Sequence, residues 1–217
     1  MSIKLYFAPG ACSFVPHCLL EASGAEFEPA MIKLHKGEQN GPEYLAINPR
    51  GQVPVLVVDG VVITQIVAIC EYLHQTFPEM LFFPKSAFEK AKALETLSWM
   101  NNSVHTTFTH VFMPGRFTKD ETAQAAIKSH AQAQYASLLN ELQAIVEKLG
   151  AQQWLSGQNF GALDAYAITL LRWGGFAGID PLSLPLLWAH VQKVALYPPV
   201  ARVIERERIQ LDVFERA

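Results

Sequence analysis

An α/β amino-terminal half followed by an all-α remainder is the architecture that this sequence of 217 residues predicts. Three observations carry it. Short β-branched runs alternate with one-sided helical stripes up to about residue 80. Strand signals then vanish beyond Pro78 and Pro84. After these prolines come long stretches free of Gly and Pro, with apolar residues at helical spacing.

Taken in order, Ile3-Lys4-Leu5-Tyr6-Phe7 reads as a strand stopped by Pro9-Gly10. Ser13 to Ser23 reads as a helix: Ser13 serves as N-cap, Pro16 falls in the first turn, and Gly24 ends it. Phe27 to Leu34 is a second strand, followed by a polar loop containing Gly37, Asn40, Gly41 and Pro42. Val53 to Val58 and Val61 to Thr64 flank Asp59-Gly60, the strongest short-range signal for a hairpin. Gln65 to Thr76 reads as a helix with Ile66, Ile69 and Leu73 on one stripe. The order is βαβ-ββα. Pro78 and Pro84 bracket Glu79 to Phe83, the natural linker. Ala87 to about Val111 then reads as one long helix. Asp120 to Leu149 is another, with Leu138, Leu142, Ile145 and Leu149 in a stripe and Gly150 as its stop. Ala162 to Phe176, Leu186 to Leu196 and Val200 to Ile209 complete the helical half.

Composition narrows the function. Hydrophobic residues make up 50% and charged residues 17%, which excludes a disordered chain. With 17 Lys+Arg against 20 Asp+Glu, no electrostatic footprint for nucleic acid is visible. Arg202, Arg206 and Arg208 interleave with Glu205 and Glu207, a pattern that reads as a solvated helix face. The three cysteines, Cys12, Cys18 and Cys70, are too few and too odd in number for a disulfide scaffold. No signal peptide and no membrane span is recognised, so the expectation is a cytoplasmic protein.

Cys12 is the first candidate for chemistry. It lies between a strand and a helix, where unpaired N–H groups and the helix dipole favour thiolate and should bring its pKa below the ordinary value of about 8.5. The alternative is a small buried filler. Position 15 is Val15, so there is no Cys-x-x-Cys pair of the dithiol oxidoreductases. Val53-Pro54 is the second candidate. Either the bond is cis or bent, presenting the Val53 backbone to a peptide ligand by strand addition, or Pro54 simply opens an edge strand. Gln65 is the third. It opens a helix, where a carboxylate can be held, or is an ordinary polar residue at a helix start. His105 and His110 are five apart, off one helical face, and no metal motif occurs, so no metal is assigned. Trp154, Phe160, Trp173, Phe176 and Trp188 read as core.

Together these residues resemble the glutathione transferase superfamily, and most closely its bacterial beta class. The resemblance is carried by Leu5 to Ser13, by Ile47-Asn48-Pro49-Arg50-Gly51-Gln52-Val53-Pro54-Val55-Leu56, and by Ile63 to Ile69 with Tyr72-Leu73. In the second half, Trp99, His105, Phe108 and Phe112 resemble the first long helix of that family. Asp164-Ala165-Tyr166 resembles the helix with its capping-box aspartate, where Gly161 replaces the usual Ser or Thr.

The resemblance implies a thioredoxin-like domain over 1–78, a linker over 79–86 and an all-helical domain over 87–217. It implies glutathione as co-substrate, with no other cofactor, lying along the first domain. Val53, before a cis Pro54 and after Gln52, would pair with the cysteinyl backbone. Gln65 and the Ile66 N–H would hold the γ-glutamyl carboxylate, and Lys36 the glycyl carboxylate. Cys12 and Ser13 would face the sulfur, with His105 reaching across from the helices. A small hydrophobic electrophile would sit between the domains, and the molecule would be a homodimer. Ile66, Thr106 and Phe7 depart from the family pattern, where a small residue, a basic residue and Tyr are usual. Two functions follow: an enzyme that conjugates glutathione or exchanges it with disulfides, or a non-catalytic adaptor on the same scaffold.

Overall fold

The computed structural model of the chain describes residues 1–149 and 154–216; Gly150, the expected helix stop, lies outside them. Strand β1 (Ile3–Phe7) buries alternate side chains, as period-2 patterning requires. Helix α1 (Phe14–Ser23) follows and ends at Gly24 with φ 70°, a left-handed cap that suits glycine. Strand β2 (Glu28–Met31) is shorter than expected, because the chain turns into a helical bend at Leu34–Lys36. A short helix α2 (Pro42–Leu45) starts on a proline within the loop. Strands β3 (Val55–Val58) and β4 (Val61–Thr64) form the expected hairpin, with Asp59 and Gly60 at φ 46° and 83°, as a type I′ turn demands. Helix α3 (Ile66–Thr76) closes the unit. The sheet order is β2-β1-β3-β4: β1 pairs parallel with β2 and antiparallel with β3, and β2 and β4 form the two edges.

From Ala87 onward every regular element among the described residues is helical: α4 (Ala87–Trp99), α5 (His105–Phe112), α6 (Glu121–Leu149), α7 (Ala162–Phe176), α8 (Pro185–Ala195) and α9 (Pro198–Glu207). The expected continuous helix from Ala87 to Val111 is interrupted at Met100–Val104 by a wide π turn, closed by the His105 N–H on the Met100 carbonyl. Such turns often mark functional sites. Helices α8 and α9 begin on prolines, ahead of the expected starts at Leu186 and Val200, because a first turn needs no N–H there.

Helix α7 is buried on all sides from Ala162 to Leu171 and forms the centre of the molecule. Its buried carboxylate, Asp164, accepts hydrogen bonds from the N–H groups of Leu155, Ser156 and Gly161 at 2.8, 3.2 and 3.0 Å. Gly161 has no capping side chain, but Ser156 Oγ accepts from the Leu163 N–H at 3.1 Å and fills that role. A Cβ on Gly161 would stand 2.2 Å from the Phe82 carbonyl oxygen, so the glycine is a steric necessity. Helix α1 packs on α3 within the first half and on α7 and α9 of the second, so one apolar core runs through both. Among the described residues no helix is long and apolar enough to cross a membrane.

Candidate active site

The loop between β1 and α1 carries Cys12, and the second half grips it from both sides. The Gly10 N–H donates to Glu207 Oε2 at 2.9 Å, and the Gly10 carbonyl accepts from Trp173 Nε1 at 3.0 Å. Gly10 has φ 67°, and a Cβ there would meet Arg172 Nη1 at 2.8 Å, so both conformation and space call for glycine. Glu207 also accepts from His17 Nδ1 at 2.6 Å, with both side chains fully buried. Arg206 Nη1 sits 3.2 Å from His17 Nε2. An arginine only donates, so Nε2 is the acceptor and Nδ1 carries the proton given to Glu207. Glu207, expected on a solvated face, is therefore 4% exposed and bridges α9 to α1 and to the Gly10 peptide. Only its neighbours in the charge pattern face solvent: the periodicity gave α9, but not which glutamate turns inward.

Cys12 is buried, and its thiol donates to the Val53 carbonyl oxygen with Sγ 3.5 Å away. Burial pushes the thiol pKa up to about 12, against the opposing pull of the Cys12 and Ser13 backbone groups. The expectation of a lowered pKa is overturned, because loss of hydration outweighs the helix start. Ser13 likewise provides no side-chain cap. Its hydroxyl accepts from the Ala8 N–H at 3.0 Å and donates to the Ala8 carbonyl at 3.2 Å, tying the loop to the end of β1.

The Val53–Pro54 bond is cis. The turn before it is pinned through the Gln52 carbonyl, which accepts from Tyr44 Oη and from Asn48 Nδ2, each at 2.8 Å. Tyr44 and Asn48 are both buried. Asn48 belongs to the Ile47–Leu56 motif, and its role there is visible only in the fold. Gln65 is exposed at the N-terminus of α3 with φ 73°, a positive-φ conformation that costs a non-glycine residue about 1–3 kcal/mol and is typical of ligand sites. Ile66 behind it is buried. Lys36 and Gln52 are exposed.

From the helical half, His105 Nδ1 lies 2.7 Å from the Tyr166 hydroxyl, which is also 3.3 Å from Asn101 Oδ1. The hydroxyl thus links the imidazole to Asn101 and fixes the orientation of the ring. Burial lowers the His105 pKa to about 4, leaving a neutral ring at neutral pH. Burial also holds Tyr166 well above the ordinary phenol value, and Cys12 is among the groups it senses. The π turn carries Asn101 and hands His105 to α5. The His105 ring packs against Trp173 with centroids 4.7 Å apart, and Trp173 stacks on Phe108 at 4.6 Å. Trp173 and Phe176, expected in the core, have second roles: Trp173 holds the Gly10 carbonyl, and Phe176 is 46% exposed.

A four-stranded mixed sheet packed with helices and followed by an all-helical half is the architecture of a thioredoxin-like domain joined to a helical one. Comparison with known proteins agrees. Residues 1–75 match the family model of the glutathione S-transferase N-terminal domain. Glutathione S-transferase GstA of Escherichia coli O157:H7 is 34% identical over 211 residues, spanning 96% of this chain and 100% of that protein. The solved bacterial beta class glutathione S-transferase of Sphingomonas chungbukensis is 28% identical with a TM-score of 0.80, covering 94% of this chain and 98% of that one. A sphingomonad glutathione S-transferase complexed with glutathione is 29% identical with a TM-score of 0.79, covering 95% and 100%. The chain belongs to the glutathione S-transferase family.

Proposed function

We propose that the protein is a glutathione transferase that binds the tripeptide along residues 1–78 and conjugates its sulfur to a small electrophile facing the helices of 87–217. The observation that carries this reading is the 3.5 Å contact between Cys12 Sγ and the Val53 carbonyl, which sets a thiol beside a backbone acceptor that a peptide ligand can pair with. A bound peptide's cysteinyl N–H takes the Val53 carbonyl and displaces the Cys12 S–H. That S–H then turns to the glutathione sulfur. Because burial keeps the proton on Cys12, the residue acts as a neutral donor that stabilises a glutathione thiolate.

The glutathione sulfur forms the bond to carbon, the leaving group departs with its electron pair, and the thiol proton passes to solvent. Exchange through Cys12 itself needs a thiolate, which burial disfavours, so conjugation is the reading the site supports. Gln65 and the Ile66 N–H hold the γ-glutamyl carboxylate, Lys36 the glycyl carboxylate, and Gln52 flanks the clasp. Ser13 acts by positioning the loop. His105, neutral and fixed by Tyr166, offers Nε2 to the sulfur side of the site. The molecule works as a homodimer, which light scattering checks.

Calorimetric titration with glutathione, paired with conjugation of chlorodinitrobenzene, tests the proposal. Binding should persist in Cys12→Ala, while the pH profile of turnover moves to higher pH as the thiolate loses a donor. No binding at millimolar peptide overturns the enzymatic reading and leaves the adaptor.

A further inference from the structure

One partly buried cation lies beside the site. Arg172 on α7 donates from Nε to the Gln210 carbonyl at 2.8 Å, and its guanidinium lies against Gly10 and 5.2 Å from the Phe176 ring centroid. It makes no ion pair among the described residues. The acid whose charge reaches it, Glu207, is already engaged by Gly10 and His17. Burial draws the Arg172 pKa below the ordinary value, against the opposing pull of the Glu207 charge. Beside it runs a stack of rings. Trp173 lies on Phe108 at 4.6 Å and 14°, and Phe108 on Phe112 at 5.5 Å and 17°. Phe112 meets Phe176 at 6.2 Å. The outer two rings are 60% and 46% exposed, well beyond what apolar side chains need for packing. The stack starts at the indole that holds the Cys12 loop and ends under the guanidinium.

We propose that Arg172 and this stack form an anion-selective co-substrate subsite, which takes a planar aromatic electrophile bearing a carboxylate. The proposal rests on the glutathione-transferase reading above and names the class of its second substrate. The ring lies on the exposed aromatic faces, where offset stacking is favourable. The carboxylate meets the fork of Arg172, a geometry that suits two parallel hydrogen bonds. For an aryl chloride, the glutathione sulfur bonds to the ring carbon, chloride leaves with the bonding pair, and the thiol proton goes to solvent.

The test compares kcat/KM for a chlorodinitrobenzoate with that for its methyl ester, each divided by its rate constant for the uncatalysed reaction with glutathione, because the ester also activates the ring more strongly. Wild-type protein should favour the carboxylate by about tenfold at low salt, and salt should shrink the preference. In Arg172→Met the preference should disappear, and Arg172→Lys should restore part of it. A wild-type preference of one or less, or a preference unchanged in Arg172→Met, overturns the subsite; the wild-type ratio decides even if the variants fold poorly. Calorimetry separates this from failure of the parent reading. With S-methylglutathione saturating, dinitrobenzoate should still bind more tightly than dinitrobenzene. If S-methylglutathione displaces it, the anion site belongs to the tripeptide and the proposal falls. If S-methylglutathione itself does not bind, the glutathione reading fails. The dinitrobenzoate comparison on the protein alone then decides the subsite.

Discussion

Replacing Glu207 with alanine tests how the helical half controls the Cys12 loop. The carboxylate is 4% exposed and accepts from Gly10 N–H at 2.9 Å and His17 Nδ1–H at 2.6 Å. Alanine leaves two buried donors unpaired and opens a gap beside Arg206, which contacts His17 on the other ring nitrogen. Removing one member of a buried charged network costs about 3–5 kcal/mol, and that is the loss expected here. Glutamine keeps the volume and one acceptor oxygen but points an NH₂ at one of the two donors; about 1.5–3 kcal/mol should be lost. Urea unfolding of the three proteins measures the stability, and glutathione titration of the folded variants measures the coupling to the site. Both variants should bind glutathione more weakly, because Gly10 and Cys12 share one short loop. A loss under about 1 kcal/mol for alanine would refute the claim that this carboxylate clamps the loop. A full loss of stability with unchanged glutathione affinity would refute its link to the site.

Three further outcomes are expected. Alkylation of Cys12 in the ligand-free protein should be slow at neutral pH and should rise towards a midpoint near 12; a midpoint below the ordinary thiol value contradicts the burial argument. The His105 pKa falls from 6.5 to about 4 on folding, so the unfolded chain takes up a proton that the folded chain refuses. Stability should therefore drop as pH falls through that window, by up to about 3 kcal/mol, and His105→Phe should flatten the drop in urea unfolding followed against pH. Asn48→Ala removes one of two donors to the Gln52 carbonyl and should cost about 1 kcal/mol, with a raised KM for glutathione; an unchanged KM would show that the turn holds its shape without it.

The amino-terminal half was largely legible in the sequence, because its signals are local. Asp59-Gly60 dictates its own hairpin, Gly24 its own helix end, and the order βαβ-ββα follows from patterning. The Val53–Pro54 step could be singled out because proline conflicts with a strand pattern, although only the fold chooses between the alternatives there. What stayed hidden depends on contacts distant in sequence. Cys12 sits where a helix start favours thiolate, yet side chains from other elements strip its water and reverse the shift. Glu207 reads like its solvated neighbours until α1 packs against α9. Trp173 and Phe176 look like core in composition, and only the meeting of α5 and α7 with the Gly10 loop turns them towards the site. The π turn at Met100–Val104 leaves no mark in a pattern that counts only apolar spacing.

The most direct measurement is a crystal structure of the protein grown with glutathione. It should show the cysteinyl backbone paired with both polar groups of Val53, the sulfur in contact with Cys12 Sγ, and the Cys12 thiol released from the Val53 carbonyl. A tripeptide bound elsewhere, or one whose sulfur faces away from residue 12 while the original thiol–carbonyl contact persists, would contradict the account.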